Sequence, residues 1–154
     1  MHTFKAFAAA ATAAAILLAP VGVSAASASA DEQVRKLDIM LMVTSLRCRF
    51  GADNFQPQYQ SFSASNLPAL NAAAKRLEAN LVARHGVKGA YRALDKISVG
   101  MANQYGQGHP WLGCGELKAI ATDLSGRQDP AALAMAAEEL LGQTPRSGGR
   151  FARR

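Results

Sequence analysis

Only two cysteines, one tryptophan and three histidines occur in 154 residues. That scarcity excludes several chemistries. A disulfide-dense scaffold needs more cysteine, and neither C-x-x-C, C-x-x-C-H nor H-E-x-x-H is present. Dithiol redox, covalent haem and zincin chemistry therefore have no footing. Val, Ile, Thr and the aromatics never alternate over the length of a strand, so no sheet is expected. The glycines at 106, 108, 113 and 115 do not follow dinucleotide spacing. A nucleophile elbow and an acidic metal cluster are also missing. No cofactor and no metal are expected.

No apolar run reaches the ~18 to 20 residues that a spanning helix needs. The longest, Ala6–Ala19, follows a weakly positive start, contains Thr12, and is broken by Pro20. It has the length of a signal-peptide core, and small-x-small cleavage sites end at Ala25, Ala28 and Ala30. Residues 1–30 are therefore expected to be a cleaved signal peptide. No cysteine follows the apolar run to carry a lipid. The address implied is a bacterial periplasm or the medium, with no transmembrane segment in the mature chain.

Acidic residues are missing from one place in particular. The tail 145–154 carries Arg146, Arg150, Arg153 and Arg154 and no acid. One further basic residue, Lys5, is in the leader. Of the 17 basic residues, 12 therefore face 11 acids between Asp31 and Thr144. The basic balance belongs to the tail, and no nucleic-acid-binding face is implied for the folded part. The tail is expected to be disordered, having little apolar surface to bury, and its arginines are candidates for contact with an anionic surface or an envelope protein.

What remains, 31–144, reads as a single all-α domain of five or six short helices. Val34, Leu37, Leu41, Ser45 and Cys48 recur at helical steps over Asp31–Phe50, so Cys48 lies on an inward stripe. Ile39, Met40, Met42, Val43 and Leu46 make the middle of that helix apolar nearly all round, so other helices or a partner must surround it. Asp53 or Asn54 can cap a second helix, with Pro57 in its first turn and Phe55, Tyr59 and Phe62 on one face. Asn66 is a candidate N-cap for a third helix, with Pro68 in its first turn and Leu70, Ala74, Leu77 and Leu81 as its stripe; Arg84-His85-Gly86 ends it. A fourth, Lys88–Tyr105, places Tyr91, Leu94, Ser98, Met101 and Tyr105 together, and Gly100 inside it suggests a close helix crossing. Glu116–Ser125 carries Leu117, Ile120, Ala121 and Leu124. Asp129-Pro130 starts a last helix through Leu133, Ala137, Leu140 and Leu141 to Gly142.

Between the fourth and fifth helices lies the least generic stretch, Tyr105–Gly115. It holds four glycines, a proline, the single tryptophan, His109 and Cys114. Two cysteines in an exported chain suggest a Cys48–Cys114 disulfide pinning this joint to the first helix. A zinc site from Cys48, Cys114, His109 and His85 matches no structural spacing. Tyr105, His109, Trp111 and Glu116 are the candidates for one ligand pocket. A catalytic version uses His109 as base, oriented by Glu116 or Asp123, with Tyr105 beside it. The composition favours a non-catalytic binding or structural envelope protein. Two alternatives stand beside it: a small hydrolase-like enzyme at the joint, and a chaperone-like or lipid-binding protein presenting Ile39–Val43.

Overall fold

The computed structural model describes residues 22–142 and 149–151. Five helices follow in order: α1 Gly22–Arg47, α2 Gln56–Ser65, α3 Leu67–Tyr105, α4 Cys114–Ser125 and α5 Pro130–Leu140. No strand occurs among the described residues. The leader residues 1–21 lie outside them; α1 begins at Gly22 and runs through all three candidate cleavage positions.

α1 is the central element. Its predicted stripe is buried, with Leu37 and Leu41 at 0% exposure, and so are Ile39, Met40 and Thr44 on the neighbouring faces. Thr44 can sit there because its hydroxyl donates to the Met40 carbonyl at 2.7 Å, leaving no buried donor unmatched. The expectation that other helices surround this segment holds for Ile39–Leu41. Met42 and Leu46, one turn apart, are the exposed members of the predicted set, and Phe50, beyond the helix end, is exposed too. α1 ends at Arg47, three residues short of the expected Phe50, and Cys48 follows with its amide still bonded to the Thr44 carbonyl.

α3 contains the third and fourth predicted helices, divided by Gly86. Its φ of +67° with ψ of 172° is a conformation open essentially only to glycine. Chain direction changes there, and the second arm folds back on the first. Leu77 and Leu81 of the first arm pack with Ala90, Leu94 and Ile97 of the second, a separate small core. Residues that far apart meet only in a hairpin, since 13 residues of straight helix span about 20 Å. α1 lies along both arms: Asp31 takes a forked ion pair from Arg76 of the first, with Nη2–Oδ1 at 2.7 Å, while Glu32 and Lys36 share a groove with Ile97 and Met101 of the second.

Two expectations for these arms need correcting. Tyr91 does not join Met101 and Tyr105 inside; it is 63% exposed. The inward face is instead the row that Leu77 and Leu81 demand. Gly100 marks no close crossing, because a Cβ added there would meet nothing within 4 Å.

α2 and α4 pack on one another beside α1. Phe55 and Phe62 are fully buried, and Tyr59 on the same face donates its hydroxyl to Asp38 at 3.2 Å. α2 is opened by Asn54, whose side chain accepts the Gln56 amide. Asn66 takes the N-cap position of α3 as expected, but its side chain makes no cap bond there. It is buried, and its Nδ2 donates to the carbonyls of Phe62 and Leu124, both at 3.0 Å, bracketing the end of α2 to the end of α4. Leu117, Ile120, Ala121 and Leu124 are buried as their spacing predicts. So are Leu133, Ala137 and Leu140 of α5, which Asp129 caps by accepting the Ala131 amide.

The tail is described only over Gly149–Phe151; Arg146, Arg153 and Arg154 lie outside the described residues. Phe151 packs against the main core, its amide donates to buried Glu139, and Arg150 pairs with Asp123 at 3.1 Å. One apolar residue thus holds part of the tail on α4 and α5. The expected disorder does not describe these three residues.

Candidate functional site

The joint is a covalent corner. Cys48 and Cys114 are bridged, with Cα atoms 5.8 Å apart. The bridge closes a loop across 66 positions and spans from the end of α1 to the first residue of α4. Both sulfurs are consumed, so the zinc arrangement with His109 and His85 cannot form while the bridge is intact. His85 is also elsewhere, exposed at the hairpin turn.

From this corner three side chains reach the C-terminal end of α5. The last carbonyls of a helix have no partner within it and must find one elsewhere when shielded from water. Here the partners are supplied in order. His109 Nε2 lies 2.8 Å from the Leu140 carbonyl, the Tyr105 hydroxyl donates to Leu141 at 3.4 Å, and Trp111 Nε1 donates to Gly142 at 2.9 Å. Three consecutive carbonyls receive three donors. The rings support one another: Tyr105 and His109 lie 5.5 Å apart at 30°, and Trp111 meets His109 edge-on at 4.8 Å. Tyr105 is fully buried and forms part of the core, while Trp111 is a half-buried plug packed against it.

His109 is fixed in chemical form by its neighbours. A carbonyl can only accept, so Nε2 carries the hydrogen. Nδ1 then holds the lone pair, and the Trp111 amide donates to it over a long 3.4 Å. Both ring nitrogens are spent on backbone. Burial holds its pKa below the ordinary histidine value, outweighing the Leu140 carbonyl and the Glu116 charge, which both raise it. Burial also pushes the Tyr105 hydroxyl up to about 12.

Glu116 does not orient His109. Its Oε2 accepts the Gly113 amide at 2.7 Å, the reach-back half of a capping box that opens α4. Asp123 is engaged elsewhere, paired with Arg127 and Arg150. The catalytic arrangement of His109 with Glu116 or Asp123 is therefore not assembled. Of the four pocket candidates, His109 alone is on the wall of the cavity at the bridge. That cavity, about 220 Å³, is lined by Thr44, Arg47, Gln107, His109, Leu112 and Leu117, while Tyr105 faces a different one with Gln33, Lys36 and Glu138. A largely apolar groove of about 340 Å³ is lined by alanines of α1, α3 and α5 with Val34, Pro130 and Leu133, and Asp31 and Arg76 also line it. Alanines scattered over three helices carry no motif, so this groove has no sequence signal.

Compared with protein-family models, curated proteins and solved structures, the chain matches none.

Proposed function

We propose that this chain is an exported, non-catalytic helical protein of the bacterial envelope, acting by binding or by holding structure, with the joint as its internal latch. The observation that carries the reading is the use to which the joint's reactive side chains are put. Tyr105, His109 and Trp111 each spend a donor on a backbone carbonyl at the end of α5. A general base needs a free lone pair within reach of a substrate proton, and the lone pair of His109 points at the Trp111 amide. A disulfide supports export, because such bonds persist in oxidising compartments. The apolar leader supports it independently.

The chaperone-like alternative needs Ile39–Val43 to be presented, and Ile39, Met40 and Leu41 are in the core. The test of the proposal is mass spectrometry of the protein from fractionated cells, with and without alkylation of free thiols. The expected result is a chain in the envelope or medium beginning after Ala25, Ala28 or Ala30, with Cys48 and Cys114 protected until reduced. A cytosolic chain with its leader attached and both thiols alkylated overturns it.

A further inference from the structure

We infer that the tip of the α3 hairpin is a docking surface for an anionic phospholipid bilayer. Between residues 79 and 94 the chain has Arg84, Lys88 and Arg92 and no acid. All three are exposed, and none forms an ion pair among the described residues. Beside them Val87 and Tyr91 stand 59% and 63% exposed. Lys88 and Arg92 are one turn apart, as are Val87 and Tyr91, so a basic stripe runs next to an apolar and aromatic one on the outer face of the second arm. Basic charge flanking exposed apolar side chains, with a tyrosine at the boundary, is the composition that settles in a headgroup layer. The inner face of the same arm is used differently: Ala90, Leu94 and Ile97 pack on Leu77 and Leu81. The outer face has no structural task in the monomer.

The occupant is argued from charge complementarity and from where the rest of the chain leaves. Ser29 and Glu32 of α1 lie beside Leu81 and Arg84. Gly22–Ala28 continue α1 by seven further helical residues, roughly 10 Å, toward the end where the hairpin turns. Gly22, the first described residue of α1, therefore lies toward the same end of the molecule that carries Arg84, Val87, Lys88 and Tyr91. The sequence alone assigns anion contact to the C-terminal arginines; in the structure Arg150 is already paired with Asp123.

This proposal uses the export reading only to say which membrane is met. Its test is cosedimentation with phosphatidylglycerol/phosphatidylcholine vesicles against phosphatidylcholine alone. Wild type is compared with the Arg84→Gln/Lys88→Gln/Arg92→Gln variant, both in whatever processed form the cells yield, so that any contribution of the leader cancels. Binding to the anionic vesicles is expected to fall by about a hundredfold in the triple variant at low salt, at about fivefold per charge. Lys75→Gln, on the same helix but away from the tip, is expected to leave it nearly unchanged. Tyr91→Ala is expected to weaken binding that persists at high salt, where charge is screened. All of these positions are exposed, and an unchanged circular-dichroism spectrum confirms the fold. Equal binding by wild type and triple variant overturns the proposal. So does equal binding to both vesicle types, or tighter capture by a single-stranded oligonucleotide than by the vesicles. A cytosolic location leaves this comparison intact and sinks the export reading alone.

Discussion

Replacing His109 by glutamine separates the titration of this residue from its hydrogen bonds. Glutamine offers an amide N–H to the Leu140 carbonyl and an amide oxygen to the Trp111 N–H, copying both contacts of the neutral imidazole. It cannot take a proton. In the wild type, burial disfavours the imidazolium, so the folded pKa lies below the ordinary value of about 6.5 that the unfolded chain shows. The unfolded state therefore binds the proton first as pH falls. Stability is fully present above about pH 6.5, declines as pH falls from there toward the folded pKa, and stops declining below it. One proton limits the slope to about 1.4 kcal/mol per pH unit. Protonation also turns Nδ1 into a donor facing the Trp111 amide, breaking that contact. Asp38 acts with the opposite sign, because burial raises its pKa, and it is common to both proteins, so it cancels in the comparison. The assay is urea unfolding of the oxidised protein followed by the single tryptophan, between about pH 8 and about pH 5 to straddle the ordinary histidine value. The stability difference between His109→Gln and wild type should move in favour of the variant as pH falls through this window. Parallel pH profiles for the two proteins refute the reasoning. His109→Leu, which orphans the shielded Leu140 carbonyl, should cost about 1–3 kcal/mol at neutral pH.

Other predictions follow from the same contacts. Reducing the Cys48–Cys114 bridge opens a long loop and should cost roughly 4 kcal/mol by the chain-entropy estimate, read as the shift in urea midpoint with and without reductant. Gly86→Ala forces a side chain into a glycine-only conformation and should destabilise by about 1–3 kcal/mol. Gly100→Ala, in helical backbone with open space around it, should stabilise by about 0.5–1 kcal/mol; thermal unfolding of both variants decides the pair of signs. Arg76→Ala strips the partner from a nearly buried Asp31 carboxylate and should cost about 1–3 kcal/mol, more than an exposed ion pair is worth; a urea midpoint equal to wild type contradicts this.

Much of the architecture was legible because burial on a helix leaves a period. Leu37, Leu41 and Cys48 could be placed inward by spacing, and the inward phase of Cys48 made its pairing with Cys114 the natural one. The two arms of α3 and the break at Gly86 were also readable from Arg84-His85-Gly86. That the second arm turns Tyr91 outward was not, because alanines at 90 and 93 can face a core as well as an aromatic can when the opposing arm supplies the leucines. The role of the joint was half visible. Its unusual residues stood out, but their partners are the carbonyls of Leu140, Leu141 and Gly142, and backbone groups have no signature in a sequence. Asn66 was legible as the start of α3, but for the same reason its side-chain bonds to two backbone carbonyls, one of them Leu124, 58 positions away, were not.

Whether the joint is a latch or a reactive site comes down to the state of one imidazole. Nitrogen chemical shifts of His109 in the oxidised protein, followed by NMR through the ordinary histidine range, read that state directly. The latch predicts a single neutral form with the hydrogen on Nε2, persisting below the ordinary histidine value of about 6.5. A His109 ring that exchanges between tautomers and takes its proton at or above about pH 6.5 contradicts it.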